Sequence, residues 1–327
     1  MRPAFLILAD SVNITALVAD RLVDLVITDK AGVKSDRLEL VIDDRDERLE
    51  LPETGAKLEV SIGYRGGSLA RMGSYVVDGI EVGGPVRLLS INATAADMTG
   101  KIKAPKERSF HGITLLDLVK TIAADNGLEP AVAPQLAGIM LQHIDQTESD
   151  MQLLTRICAD HDAVCKVADG RLVVAGHAKG ETTGGDGGQP KKLPLVSLAA
   201  GSCGTWSATI ADRGRFSAVV AYWQDRGKAE RAEVRVGAGD PVMTLKQTYA
   251  DEAEAKAAAT SKYKALSRST GTIKINGIVG DTALAAEREL VLAGFRSGID
   301  GAGWIITAVT HRLSKAGYTC SVEAERK

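Results

Sequence analysis

The sequence predicts a β-dominated α+β protein in which two similar antiparallel β modules, each a barrel or a sandwich, flank a small α/β insert. Three observations predict it. Period-two alternation of apolar and polar residues fills residues 1–100 and returns after about 194. Between them, residues 101–178 carry two runs at helical spacing, each with a cap. A turn-and-strand pattern of the first module recurs in the last. The 327 residues suffice for two or three domains, and 34 glycines with only 4% aromatic residues suit many turns between short strands.

The first strand is read in "MRPAFLILADSVNIT", whose apolar run is too short for a signal-peptide core. "DRLELVIDD" then places Leu38, Leu40 and Ile42 on one face, and "AKLEVSIGY" does the same with Leu58, Val60 and Ile62. "ETG" (53–55) and "GYRGG" (63–67) supply turns, and "GSYVVDGIEV" and "VRLLSINATA" are two further strands. In the insert, Leu115, Leu118, Val119 and Ile122 form a helical stripe, capped by Thr114 with Asp117 and stopped at Gly127. A second helix starts near Thr147 or Ser149. Ser149 and Gln152 fit a capping box, and Met151, Leu154, Ile157 and Cys158 form its stripe. Asp169-Gly170 marks a hairpin.

"KGETTGGDGGQPKKLP" (179–194) has no apolar period and reads as a flexible connection. Strands follow in "GTWSATI", "RFSAVVAYWQD" and "AEVRVG". One helix, 251–267, interrupts them, capped by Asp251 with Glu254, and the chain closes on "RELVLAGFRSG", "GWIITAVTHRLS" and "GYTCSVEAE". The expected division is 1–100, 101–178, a linker at 179–193, and 194–327 with the helical insertion. The recurrence pairs Gly63-Tyr64-Arg65 with Gly294-Phe295-Arg296, and Gly73, Tyr75, Val76 and Val77 with Gly303, Trp304, Ile305 and Ile306. Matching order and spacing imply two similar β units.

Chemistry is harder to find. Cys158, His161 and Cys165 have zinc-compatible residue types, but the helix pattern ends near Asp162 and no fourth ligand is near, so apolar packing of the cysteines is expected. Asp43, Asp44, Asp46 and Glu47 could bind a hard cation, yet Arg45 and Arg48 interleave with them and no EF-hand spacing exists, so a solvated, self-neutralising turn is expected. The Gly184–Gly188 run is followed by Pro190 and no helix starts there, so it does not fit a phosphate loop. His111, His143, His161, His177 and His311 carry no HExxH, GxSxG or paired-carboxylate motif. No catalytic, cofactor-binding or metal-binding residue is therefore assigned. Four scattered cysteines suit a reducing compartment, no run reaches membrane-spanning length, and a net charge of −2 gives no global field for nucleic acid.

In their order, "VIDDRDERLELPETGAKLEVSIGY", "GSYVVDGIEV", "SFHGITLLDLVKTIAADNGL", "IDQTESDMQLLTRICADHDAVCKVADGRLVV" and "LVLAGFRSGIDGAGWIITAVTHRLSKAGYTCSVEAE" resemble the late control D proteins of contractile-tailed phages. These are baseplate hubs related to the hub part of type VI secretion valine-glycine repeat proteins. Gln146, Glu148, Ser149 and Asp150 look like that family's most recognisable cluster. The resemblance implies two antiparallel β-barrel domains separated by a small α/β domain, with one helix inserted in the second barrel. It further implies a non-enzymatic homotrimeric ring in the virion tail, assembled in the host cytoplasm, that matches a six-fold tail tube to a three-fold central spike. Expected partners are the tube, spike, tape measure and other baseplate proteins; no membrane, cofactor or sequence-specific nucleic acid is expected, and interface residues are unassigned. The sequence stops soon after its last strand, so a separate spike protein is expected. Two other readings compete: a tail-associated cell-wall hydrolase, and an adaptor that docks an effector through the 179–194 loop.

Overall fold

A computed structural model describes residues 2–32, 36–95, 100–168, 170–177, 181–182, 191–210, 216–225, 227–268 and 271–327. Strand accounts for 54% and helix for 18%, so the β-dominated α+β class holds. The first β region contains β1 (Pro3–Ala9), β2 (Val12–Asn13), the short helix α1 (Thr15–Ala19), β3 (Leu22–Lys30), β4 (Arg37–Asp43), β5 (Lys57–Tyr64), β6 (Ala70–Gly83) and β7 (Leu88–Ala95). Alternation in β4 and β5 does what the pleat requires: Leu38, Leu40, Ile42, Leu58, Val60 and Ile62 are all buried.

The insert follows with α2 (Gly100–Lys103), β8 (Arg108–Thr114), α3 (Leu115–Asp125), β9 (Glu129–Val132), α4 (Pro134–Ala137), β10 (Met140–Gln146), α5 (Asp150–Asp160), β11 (Ala163–Ala168) and β12 (Arg171–Gly176). β8 pairs β10, while β12 lies between β11 and a parallel β9. Both helix starts are capped as read. Thr114 Oγ1 accepts from the Asp117 N–H at 3.1 Å, and Ser149 with Gln152 forms a full capping box. Gly127 takes φ +67°, the left-handed conformation that ends α3. Leu115, Leu118, Val119 and Ile122 of α3 share one core with Leu154, Ile157 and Cys158 of α5.

The remainder holds β13 (Glu181–Thr182), β14 (Lys191–Lys192), β15 (Val196–Ala199), β16 (Thr205–Ile210), β17 (Ala218–Asp225), β18 (Glu230–Gly237), β19 (Val242–Tyr249), α6 (Glu252–Arg268), β20 (Gly271–Val279), β21 (Glu289–Ala293), β22 (Trp304–Ser314) and β23 (Gly317–Arg326). Asp169 and the Gly184–Gly188 run, with most of the 179–193 connection, lie outside the described residues.

The two β regions are not separate closed barrels. Thirteen strands form one sheet along the path β16-β20-β23-β22-β3-β4-β7-β6-β5-β1-β2, with β21 on β22 and β15 on β21. Among the described residues this path is open. The join is β22 against β3, and one hydrophobic core runs from Ile7 to Ala324. Its cause is length. β21 pairs only with Trp304 and Ile305 of β22, which leaves Ala308–Ser314 with unpaired backbone groups that β3 satisfies. A second difference concerns β17, β18 and β19. They read as strands of the second β module but pair among themselves, and α6 covers them. Ala255, Ala258 and Ala259 bring that helix close to Val219, Ala221 and Tyr249 in a small separate core.

Candidate assembly interface

The sheet contains one pairing scheme twice. In the first half, neighbours run β3-β4-β7-β6-β5-β1; in the second they run β16-β20-β23-β22-β21-β15. Chain order is the same in both sets. The recurrent turn sits where the sequence put it, between β5 and β6 and between β21 and β22, and both strand pairs are antiparallel. The bulges agree as well. Register shifts between Val77 and Gly79 in β6, and between Ile306 and Ala308 in β22, at matching positions of the recurrence. One ladder differs: β1 is antiparallel to β5, whereas β15 is parallel to β21.

The halves meet along a ladder in which His311 faces Ile27 and Leu313 faces Leu25. All four are buried. His311 Nδ1 lies 2.8 Å from the Tyr318 hydroxyl and 3.3 Å from Cys320 Sγ. Burial holds this imidazole below the usual histidine range, so it is neutral in the core. Arg312 closes the exposed side of the ladder with two contacts to the Asp24 carboxylate at 2.8 and 3.0 Å. Tyr64 of the first half donates to the Gly280 carbonyl of the second at 2.8 Å, its ring 5.6 Å from that of Tyr318.

The insert is fastened by buried polar groups. Asp150, fully buried at the start of α5, receives Lys106 and Arg108 at 2.7 Å and Gln146 and Asn126 at 2.9 Å. Burial pushes its carboxyl up, but the bonds from Gln146, Lys106 and Asn126 and the Arg108 charge outweigh burial and hold it below the usual carboxylate range. The cluster Gln146, Glu148, Ser149 and Asp150 is therefore a structural knot: Ser149 caps the helix, Asp150 centres the charges, and Glu148 pairs with Arg156 at 2.8 Å. Lys166 on β11 reaches Asp29 on β3 and Asp36 beside β4. His177 lies 3.8 Å from Glu287 and 3.3 Å from Glu325. Asp160 at the end of α5 accepts from the Tyr249 hydroxyl at 3.3 Å, joining the insert to β19.

Of the residues weighed for chemistry in the sequence, the structure brings together Cys158 with Cys165 and His111 with His143. α5 ends at Asp160, so His161 caps it and Cys165 lies on β11, where its thiol still meets that of Cys158 in a side-chain hydrogen bond. Cys158 and Cys165 are both buried in the insert core as free thiols. Asp46 is bound by Arg21 at 2.6 Å through both oxygens and Glu47 lies 3.2 Å from Arg87, so arginines from outside the turn hold these two carboxylates, while Arg45 pairs outward with Asp20 at 2.8 Å and Asp44 is buried rather than solvated. His111 and His143 face each other across β8 and β10, with Nδ1 atoms 2.9 Å apart. Among the described residues no group of three His, Cys, Asp or Glu is placed to hold a metal, and no helix is long and apolar enough to cross a membrane. A cleft of 720 Å³ in the first half is walled by Ile14, Leu17, Val18, Leu49 and Leu51, with Glu50 and Glu53 at exposed positions on its rim. The fastenings Lys166–Asp29, Asp160–Tyr249 and Lys106/Arg108–Asp150 were not found by sequence reasoning; only the charge pattern around Asp150 carried a local signal.

No family model matches the chain. The probable baseplate hub protein of Escherichia phage P2 is 32% identical over a 366-position alignment that covers 99% of this chain and 93% of that one. The chain belongs to the phage baseplate hub proteins. The hub sheet with its insert is also found in a 43 kDa tail protein of prophage MuSo2 from Shewanella oneidensis. That structure has a TM-score of 0.73 at 15% identity and covers 98% of this chain and 97% of that one. An Escherichia coli component of the type VI secretion system has a TM-score of 0.55 at 10% identity, covering 93% and 73%. At these identities the two structures are alike in fold alone.

Proposed function

We propose that this hub acts by shape: three copies close into a ring that presents six similar β faces to a six-fold tail tube and a three-fold face to a central spike. The observation that carries this is the doubled pairing scheme, β3-β4-β7-β6-β5-β1 and β16-β20-β23-β22-β21-β15, within one chain. A three-fold ring offers six like contacts only when each chain supplies two. In this reading residues 1–100 and 194–327 are the paired barrel domains, each curling towards a barrel within the ring, and 179–193 is a linker. The 101–178 insert hangs on the spike side, held by Lys166, Asp160 and His177. The setting is a contractile tail, assembled in the host cytoplasm, with tube, spike, tape measure and other baseplate proteins as neighbours. The hub carries out no reaction.

Sedimentation of the full-length chain and single-particle images of it test the reading. A trimer with a near-six-fold rim is expected. A monomer or dimer, or a ring whose rim shows three unlike pairs of lobes, overturns it.

A further inference from the structure

We propose that copies of this chain are stitched together by a β ladder between β16 of one copy and the Gly79–Gly83 stretch of β6 in the next; the proposal rests on the ring reading. Inside one chain, β3 of the first half pairs with β22 of the second. By the doubled scheme, β16 is the counterpart of β3 and β6 the counterpart of β22. The reciprocal ladder, β16 on β6, has no pairing among the described residues of one chain. Among the described residues β16 pairs only with β20. Beyond Val77, whose backbone still bonds Gly55 and Ala56 just ahead of β5, β6 pairs only with β7 among the described residues. Both strands thus carry an open edge at the place where their counterparts are joined.

Burial follows the same line. His311 and Ile27, which face each other in the intrachain ladder, are 0% and 1% exposed. On the open edges, Val82 is 61%, Ile210 58% and Trp206 38% exposed. Exposed apolar side chains on an unpaired edge form a template for another strand. Here the other strand is a second copy, because the chain already shows how the two edge types fit.

The register can be transferred. The matched bulges make Ile80 the counterpart of Val309 and Val82 that of His311. Ala208 faces Ile273 as Ile27 faces Leu38, and Ile273 faces Ala324 as Leu38 faces Ala93, so Ala208 stands for Ile27 and Ile210 for Asp29. Val309 pairs with Asp29 and His311 with Ile27. The ladder between copies therefore sets Ile80 opposite Ile210 and Val82 opposite Ala208. A contact between two different edges is head-to-tail, the kind that closes into a ring when the rotation fits.

The test is disulfide trapping in the full-length chain with Cys203→Ser as background; the other three cysteines are buried. Ile80→Cys with Ile210→Cys is expected to give linked dimers and a covalent trimer on a non-reducing gel. The offset pair Ile80→Cys with Ser207→Cys is expected to stay largely unlinked. Val82→Asp, at an exposed position, is expected to shift sedimentation from trimer to monomer with the monomer still folded by circular dichroism. A parent chain that sediments as a trimer but whose Ile80/Ile210 pair fails to link overturns the seam and leaves the ring standing. A parent chain that remains monomeric overturns both.

Discussion

Lys166 Nζ lies 2.7 Å from Asp29 Oδ1 and so ties β11 of the insert to β3 beside the join of the two β halves. Asp36 is within 3.1 Å of the same ammonium. Burial pushes the Asp29 carboxyl up, but Lys166 and the Ala286 N–H pull it below the usual range, while Lys166 is raised by the two carboxylates against the opposing effect of burial. A depressed Asp stabilises the fold above the ordinary carboxylate range and loses that contribution as pH falls. A raised Lys stabilises it below the ordinary lysine range and loses it as pH rises, so the Lys166–Asp29 pair is strongest between about pH 5 and 10, while Asp36, raised by burial and by the Asp29 charge, opposes it as pH climbs out of the carboxylate range. Lys166→Met leaves two close carboxylates unpaired. These side chains are a fifth to a quarter exposed, so the expected loss is about 2–3 kcal/mol, at or below the low end for breaking a buried pair. Urea midpoints at pH 7 check this; an unchanged midpoint contradicts it.

Asp150 is the most demanding charge in the insert. Asp150→Ala removes one of the two carboxylates shared by Lys106 and Arg108, leaving them Asp125 beside a fully buried site, and a loss of about 3 kcal/mol is expected. Ser149→Ala, one residue earlier, removes only the cap and is expected to cost about 1 kcal/mol. Hydrogen exchange across 101–177 separates the two: the first substitution should open the whole insert, the second only the first turn of α5.

Asp160 gives the contact between insert and β19 a pH dependence. Burial raises its carboxyl to about 6, against the hydrogen bond from Tyr249. The folded state then holds a proton that the unfolded state has released between about pH 4 and 6, so stability rises as pH falls through that window. Asp160→Asn retains an acceptor for Tyr249 and removes the titration. It is expected to stabilise the chain by about 1–2 kcal/mol at pH 7.5 and to flatten the slope between about pH 4 and 6. Equal slopes for both proteins would show that another group controls this window.

Local features were legible in the sequence because their causes are local. The alternation at Leu38, Leu40 and Ile42, the caps at Thr114 and Ser149, and the repeated turn at Gly63 and Gly294 each depend on a few neighbours along the chain. The join of the halves depends on pairs such as Arg312 and Asp24, 288 residues apart, and alternation tells which face of a strand is buried but not which strand lies beside it. For the same reason β17, β18 and β19 read as strands of the second β module, although they form a sheet of their own under α6. Ser149 was legible as a cap, but the burial of Asp150 depends on Lys106 and Arg108, more than forty residues upstream.

Gly280 is required by space alone. A Cβ there would fall 2.1 Å from Cγ of Tyr318, whose ring packs near Tyr64 and bonds His311. Gly280→Ala must push the ring aside and break both contacts. A loss of about 3 kcal/mol is expected, the upper part of the range for overpacking a core. Thermal unfolding measures it. Tyr318→Phe in the same background should recover little, since the clash is with the ring and not the hydroxyl.

Tyr75 and Trp304 occupy matching places in the doubled scheme, and they do the same work with different chemistry. Each is fully buried just inside the repeated turn. Each donates back to a carbonyl of the preceding segment, Tyr75 Oη to Met72 at 3.2 Å and Trp304 Nε1 to Ile299 at 3.0 Å. Both bonds pin the turn onto the core, which fixes where the following bulge falls and hence which side chains of β6 and β22 face inward. Tyr75→Phe removes only the bond and is expected to cost about 1 kcal/mol. Trp304→Phe removes the bond and also leaves a cavity, so about 2–3 kcal/mol is expected. Each substitution should speed hydrogen exchange in its own turn, 65–73 or 294–303, and leave the other turn protected. Loss of protection in both turns from either change would mean that the two halves open as one unit.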